Sequence, residues 1–251
     1  MPSAANWCVA IAVLCVSLLL VGYLYERRAN RRERAARPAP GRLVSVGGRR
    51  LHLHCMGSGG PTVVIEQGAG EPARLWWPVQ ERVSAFAQVC TYDRAGYGWS
   101  DDAPRPRSID DRVADLHALL VNAGLTAPFV LVAHSYGGLI VRRYAEKYPE
   151  FTAGLVLVDT AEEASLFEPA VLKFYSRLRG VLGVARVLAR IGVLRLLAAR
   201  VPLDAIGFPF VRAVEYAAAA DDLTSVENAP ASRRAGATGR RASHRCRAPA
   251  S

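Results

Sequence analysis

Val130-Leu131-Val132-Ala133-His134-Ser135-Tyr136-Gly137-Gly138-Leu139 decides the reading of this chain. An apolar run ends in the small Ala133, a His and a Ser follow, two glycines come next, and the text then turns helical. That is a buried strand, a tight turn and a helix start. The turn presents the Ser135 hydroxyl with little around it, the context a nucleophilic serine needs. Ser135 is therefore the candidate catalytic residue.

Working outward, strands and helices alternate on both sides. Residues 138–148 continue the helix, and Gly154-Leu155-Val156-Leu157-Val158-Asp159 reads as one more buried strand. Upstream, residues 108–122 read as a helix, with Ser108 as N-cap and Asp111 reinforcing the start. Gln88-Val89-Cys90-Thr91-Tyr92 is a strand, 75–85 a helix, and Thr62-Val63-Val64-Ile65-Glu66 a continuous apolar strand of the doubly covered kind. Residues 42–55 read as a hairpin about Gly47-Gly48. In it Leu51, Leu53 and Cys55 are expected on the buried face and His52 and His54 on the exposed one. The order is α/β text with a mostly parallel sheet and an antiparallel N-terminal hairpin.

Residues 164–222 change character. They are helical with no strand signal, and Val181, Val184, Leu188, Ile191 and Leu194 recur at helical spacing among arginines. They read as a helical cap over an active site or a surface that touches lipid, beside the plainer reading of an amphipathic pair packed on the body. Beyond Ala231 there is no Val, Ile, Leu, Phe or Tyr. That tail reads as disordered and Arg-rich, and it has the look of a gene translated in the wrong frame. The expected organisation is an anchor at 1–25, a basic linker at 26–42, an α/β core at 43–160, a cap at 161–230 and a tail at 231–251. The last strands of the sheet are expected to be missing, which would leave 155–158 as an apolar edge open to pairing with another chain.

Three blocks, in order and each at a strand end, resemble the α/β-hydrolase superfamily in its serine esterase, lipase and peptidase-like branch. They are Gln67-Gly68-Ala69-Gly70, Asp93-Arg94-Ala95-Gly96-Tyr97-Gly98-Trp99-Ser100, and His134-Ser135-Tyr136-Gly137-Gly138. The resemblance covers about 43–159 with a cap-like segment after it. It implies acyl transfer: Ser135 attacks a carbonyl carbon, and the backbone N–H groups of Ala69 and Tyr136 form the oxyanion hole. The substrate implied is a small acyl compound, with no metal and no organic cofactor.

The chain departs from the family pattern twice. Ala133 stands where a glycine is usual, a small change at a tight position. More seriously, a serine needs a histidine base held by a carboxylate, and the family supplies both after the cap. Here His244 is the one histidine after Ser135, and it lies among arginines in the tail. Asp159 ends the strand after the elbow helix, where some family members place the acid, and it reads first as a structural strand-end residue. His134 is expected to point away from the elbow, and His117 to lie on an exposed helix face. No complete triad is identified.

Charge and cysteines bound the rest. The net charge of +10 is concentrated in the flanks. Nine arginines and two acids between Glu26 and Arg50 give +7, and six arginines after Ala231 give +6, so the body is mildly acidic. A nucleic-acid enzyme carries its basic patch on the folded domain, and that class is set aside. The five cysteines show neither metal-site nor disulfide spacing, so Cys55 and Cys90 read as small buried hydrophobes. A Rossmann enzyme would need G-x-G-x-x-G after its first strand. Dehalogenases and epoxide hydrolases of this fold normally carry Asp at the elbow.

Residues 6–25 contain no charge and are long enough to cross a membrane. Trp7, Tyr23 and Tyr25 stand near the ends, and Arg27, Arg28, Arg31, Arg32, Arg34 and Arg37 follow. The positive-inside tendency predicts a single span with the folded domain in the cytoplasm. No small-x-small cleavage site closes the run, which argues against a cleaved signal. Two functions remain in view: a membrane-anchored serine hydrolase of low or absent turnover, and a non-catalytic hydrolase-fold remnant or anchored binding module.

Overall fold

A computed structural model of the chain describes residues 3–161, 168–198 and 213–227. Six strands form one mixed sheet: β1 Arg42–Val46, β2 Arg49–Met56, β3 Val63–Glu66, β4 Val89–Tyr92, β5 Phe129–His134 and β6 Thr152–Val158, in the order β1-β2-β4-β3-β5-β6. β1, β2 and β4 pair antiparallel, and β4, β3, β5 and β6 are parallel. The hairpin turn falls on Gly47 and Gly48, both in the left-handed region that glycine reaches without a Cβ penalty.

The helices are α1 Ala4–Ala36, α2 Trp77–Val83, α3 Ile109–Asn122, α4 Gly137–Lys147, α5 Pro169–Arg190, α6 Val193–Ala198 and α7 Ala213–Glu227, with a short 3-10 turn at Ala73–Trp76 before α2. Ser108 caps α3 as expected: its side chain accepts from the Asp111 N–H, and the Asp111 carboxylate accepts from the Ser108 N–H. The core lies between the sheet and α3 and α4. Leu116, Leu119, Leu120, Ile140, Val141 and Tyr144 are fully buried against β-strand residues such as Val64, Phe129 and Leu131.

Helix α1 runs further than the sequence pattern predicts. The segment 26–42 reads as a solvated linker, yet the helix continues to Ala36, because Ala, Arg and Glu are good helix formers. It stops at Arg37, the residue before Pro38, where a following proline disfavours helical backbone. Among the described residues, Asn6–Glu33 is the one stretch long and apolar enough to cross a membrane, and its apolar side chains face outward. Its C-terminal part touches the α5–α6 junction and α6. A Cβ at Gly22 would collide with the Ile191 carbonyl oxygen. Arg195 on α6 donates to Glu26 at 2.7 Å, to Asn30 at 3.1 Å and to Glu33.

Three expectations are corrected. Cys55 and Cys90 are joined by a disulfide instead of standing as isolated thiols. They are 35 residues apart in sequence, but the antiparallel register of β2 and β4 sets them directly opposite each other. His52 is fully buried, because the loop from Asp93 to Ser100 covers the face of β2 that alternation assigned to solvent. His117 is half-buried between α3 and α4, stacked on Tyr148 at 3.8 Å and edge-on to Phe151.

At the far edge among the described strands, β6 leaves Leu155, Val156, Leu157 and Val158 between 37% and 47% exposed. Four consecutive apolar residues open to solvent on both faces are the signature of a strand that lacks cover.

Candidate active site

The C-terminal ends of β3, β4 and β5 bring the three sequence blocks together. Ser135 sits between the last residue of β5 and the first turn of α4 with φ +48°, one of two non-glycine residues in the left-handed region among those described. Such backbone costs an L-residue about 1–2 kcal/mol and persists only where the surroundings enforce it. Here the enforcement is visible. The Ser135 N–H donates to the Val158 carbonyl, and its own carbonyl accepts from Gly138 and Ala161 at 3.1 and 3.0 Å. Gly137 closes the turn against β3: a Cβ there would lie 2.6 Å from the Glu66 carbonyl oxygen and 2.7 Å from that of Gln67. Ala133 is wholly buried, so the small residue the position requires is present. Ser135 is half-buried.

The loop after β3 is held from several sides. Arg94, buried at the end of β4, donates to the Gln67 carbonyl at 2.8 Å, the Gly68 carbonyl at 2.6 Å and the Glu66 carboxylate at 2.5 Å. The Gly68 N–H donates to the Glu71 carboxylate and the Gly70 N–H to the Tyr97 hydroxyl. Ala69 sits half-buried between those two anchored amides. Burial raises the Glu66 carboxyl above its ordinary value, against the pull of Arg94 beside it.

The Asp93 block is a structural clamp. The Asp93 carboxylate accepts from the Ala73 and Trp99 N–H groups at 2.9 and 3.1 Å and from His52 Nδ1 at 2.8 Å. Its oxygens occupy the space a Cβ of Gly98 would fill, which explains a glycine at that position.

The histidines do not complete a triad. Among the described residues none is hydrogen-bonded to Ser135. His52 is taken by Asp93, His54 packs edge-on to Trp77, and His117 lies in the α3–α4 aromatic cluster. His134 bonds Glu71 at 3.1 Å and packs on Trp76, next to Gly68 of the loop after β3. Asp159 stands exposed at the end of β6 with φ +43°. His244 lies outside the described residues, as does the Arg-rich tail.

One group escaped sequence reading. Asp222 on α7 is buried, and its carboxylate accepts from Arg94 at 3.0 Å, Tyr97 at 2.7 Å and Arg112 at 2.8 Å. Burial alone would raise its carboxyl, but Arg94 and Arg112 outweigh that and hold it below the ordinary value. The signal in the sequence is two adjacent acids, Asp221 and Asp222, directly after an alanine run inside a helix, where a buried charge demands a partner.

Comparison with known proteins agrees with this architecture. The profile of the alpha/beta hydrolase fold family matches residues 61–191, and the chain belongs to that family. It is 37% identical over 121 residues to the uncharacterized protein YqjL of Bacillus subtilis, covering 48% of this chain and 48% of that one. It is 36% identical over 112 residues to lipase LipV of Mycobacterium tuberculosis, covering 44% and 42%. The chain thus spans less than half the length of these relatives. Among solved structures, MGS-M2, an alpha/beta hydrolase enzyme from a Medee basin deep-sea metagenome library, superposes with a TM-score of 0.61 over 74% of this chain and 72% of that one, at 16% identity. At that identity the likeness shows the fold.

Proposed function

We propose that the chain is a membrane-anchored serine hydrolase acting on an ester or related acyl substrate. The observation that carries the reading is the backbone of Ser135: a left-handed serine, pinned between β5 and α4 and only partly buried, is strain kept for a reactive side chain. Ser135 attacks the acyl carbon, and the charge that develops on oxygen is received by the backbone N–H groups of Ala69 and Tyr136. Tyr136 opens α4, so the helix dipole adds to its N–H. Losing one such donor typically lowers turnover by about a hundred- to a thousandfold. The anchor is the apolar part of α1 within 6–25, and the arginines after it keep the folded body on the cytoplasmic side. The substrate is a small acyl compound, and neither metal nor organic cofactor enters the scheme.

The test is labelling of the full chain in detergent with a fluorophosphonate probe. Modification at Ser135, abolished by Ser135→Ala, is the expected result. A folded chain that resists the probe overturns the catalytic reading.

Two observations favour a second reading, a non-catalytic anchored module. No described histidine reaches Ser135, and β6 offers an open apolar edge for another chain to pair with. Ester turnover lost on Ser135→Ala dismisses it.

A further inference from the structure

We infer that Asp222, carried on cap helix α7, is a positioning residue that sets the oxyanion loop through Arg94 and Tyr97. The inference rests on the serine-hydrolase reading and adds to it a part of the cap that the chemistry needs.

The connections form two short chains from one carboxylate. Asp222 Oδ2 accepts from Arg94 Nη2 at 3.0 Å, and the same guanidinium donates to the carbonyls of Gln67 and Gly68 at 2.8 and 2.6 Å. Asp222 Oδ2 also accepts from the Tyr97 hydroxyl at 2.7 Å, and that hydroxyl accepts the Gly70 N–H at 3.1 Å. Both sides of Ala69 are therefore tied, at one remove, to Asp222. The other proposed donor is tied to the same helix. The hydroxyls of Tyr136 and Ser225 share a hydrogen bond of 2.7 Å, and Ser225 Oγ donates to the Asp222 carbonyl at 2.7 Å.

The chemistry explains why a carboxylate is required. Arg94 and Arg112 are both buried, and their guanidinium groups lie 5.5 and 5.8 Å from the centre of the Tyr136 ring. Glu66 on the sheet answers only Arg94, and burial works against its ionisation. Asp222 takes both cations, Arg94 by Oδ2 and Arg112 by Oδ1. Without it the Arg94 Nη2 that donates to the Gly68 carbonyl loses its carboxylate partner, since Glu66 pairs with Nη1. An oxyanion-hole donor misplaced by a fraction of an ångström forfeits most of its effect, since its value lies in preorganisation. Asp221, its neighbour, bonds Arg112 and the Arg107 N–H but neither Arg94 nor Tyr97. It is the built-in control.

The experiment compares Asp222→Asn, Tyr97→Phe and Asp221→Asn in the full chain. One readout is the fluorophosphonate labelling rate at Ser135 per folded molecule, and the other is amide hydrogen exchange at Gly68, Ala69 and Gly70. Asp222→Asn and Tyr97→Phe are expected to slow labelling at least tenfold and speed loop exchange at least tenfold, with Asp221→Asn within about twofold of wild type in both. A structural role alone would move all three together. Should Asp222→Asn fail to fold, Tyr97→Phe carries the same comparison. If wild type does not label, the hydrolase reading fails on its own, and faster loop exchange in Asp222→Asn and Tyr97→Phe still upholds the tie to the loop. Exchange unchanged in both variants, or equal in the Asp221 control, overturns the inference.

Discussion

His52 and Asp93 meet 2.8 Å apart with both side chains fully buried, one on β2 and the other just past β4. The pair joins the antiparallel hairpin to the loop that carries Arg94 and Tyr97, so the edge of the sheet and the floor of the site are one unit. Asp93 also satisfies the N–H groups of Ala73 and Trp99. Asp93→Ala strands three donors in a dry interior and is expected to cost about 3–5 kcal/mol, the range for breaking a buried ionic contact. Urea unfolding followed by tryptophan fluorescence measures it. A loss under 1 kcal/mol would mean that water replaces the carboxylate.

The strain at Ser135 has a separate consequence. Glycine adopts φ +48° freely and alanine does not. Ser135→Gly is therefore expected to be more stable than Ser135→Ala by about 1 kcal/mol, the left-handed penalty less the entropy glycine gains when unfolded. Equal unfolding midpoints would place the serine in ordinary helical backbone.

How much of this was legible in the sequence depends on the range of the interaction. Local patterns were decisive where they fix the chain: the apolar runs gave β3 to β6, Ser108 with Asp111 gave the start of α3, and the elbow announced its bend. Pairings across the sheet were invisible. Nothing near Cys55 points to Cys90, and nothing near His52 says that a loop 40 residues on will cover it. Asp222 belongs to the same class, since its partners lie 110 to 128 residues away. The helical run past the apolar segment was misjudged because arginine text looks solvated, although arginine is a good helix former.

Asp222 and Glu66 should give opposite pH signatures. The folded carboxyl of Asp222 lies below its ordinary 3.8, so its contribution to stability is present above that pH and lost as pH falls through and below it. Glu66 lies above its ordinary 4.5, so its contribution is present below that pH and lost as pH rises through the folded value. The stability gap between wild type and Asp222→Asn should narrow below about pH 4. Glu66→Gln should gain on wild type as pH rises past 4.5. Unfolding midpoints from pH 3 to 8, all in one buffer series, test both; a gap that does not change with pH for either variant contradicts the sign.

Arg195 fastens α6 to α1 through Glu26, Asn30 and Glu33. Its side chain is 14% exposed and that of Glu26 only 5%, so solvent screens the contact weakly. Arg195→Ala is expected to lower stability by about 1.5–3 kcal/mol, the usual worth of a hydrogen bond to a charged group, and to open the α5–α6 junction at Gly192 to limited proteolysis. Unchanged proteolysis would show that the Gly22 contact with Ile191 holds the α5–α6 junction unaided.

Two features pull apart on the orientation of the proposed anchor. The six arginines from Arg27 to Arg37 favour the cytoplasmic side for their end of the helix under the proposed topology, whereas a disulfide such as Cys55–Cys90 is chemistry of an oxidising compartment. On the proposed topology the body is expected inside, with its cysteine pair reduced in the living cell. A reporter active only outside the cytoplasm, fused to the C-terminus, should be silent. Because Cys90 is wholly buried, cells are quenched and denatured in a membrane-permeant maleimide, which should then alkylate both Cys55 and Cys90. An active reporter, with both thiols protected until a reductant is added, would put the folded domain on the opposite face and make the bond a permanent cross-brace of β2 and β4.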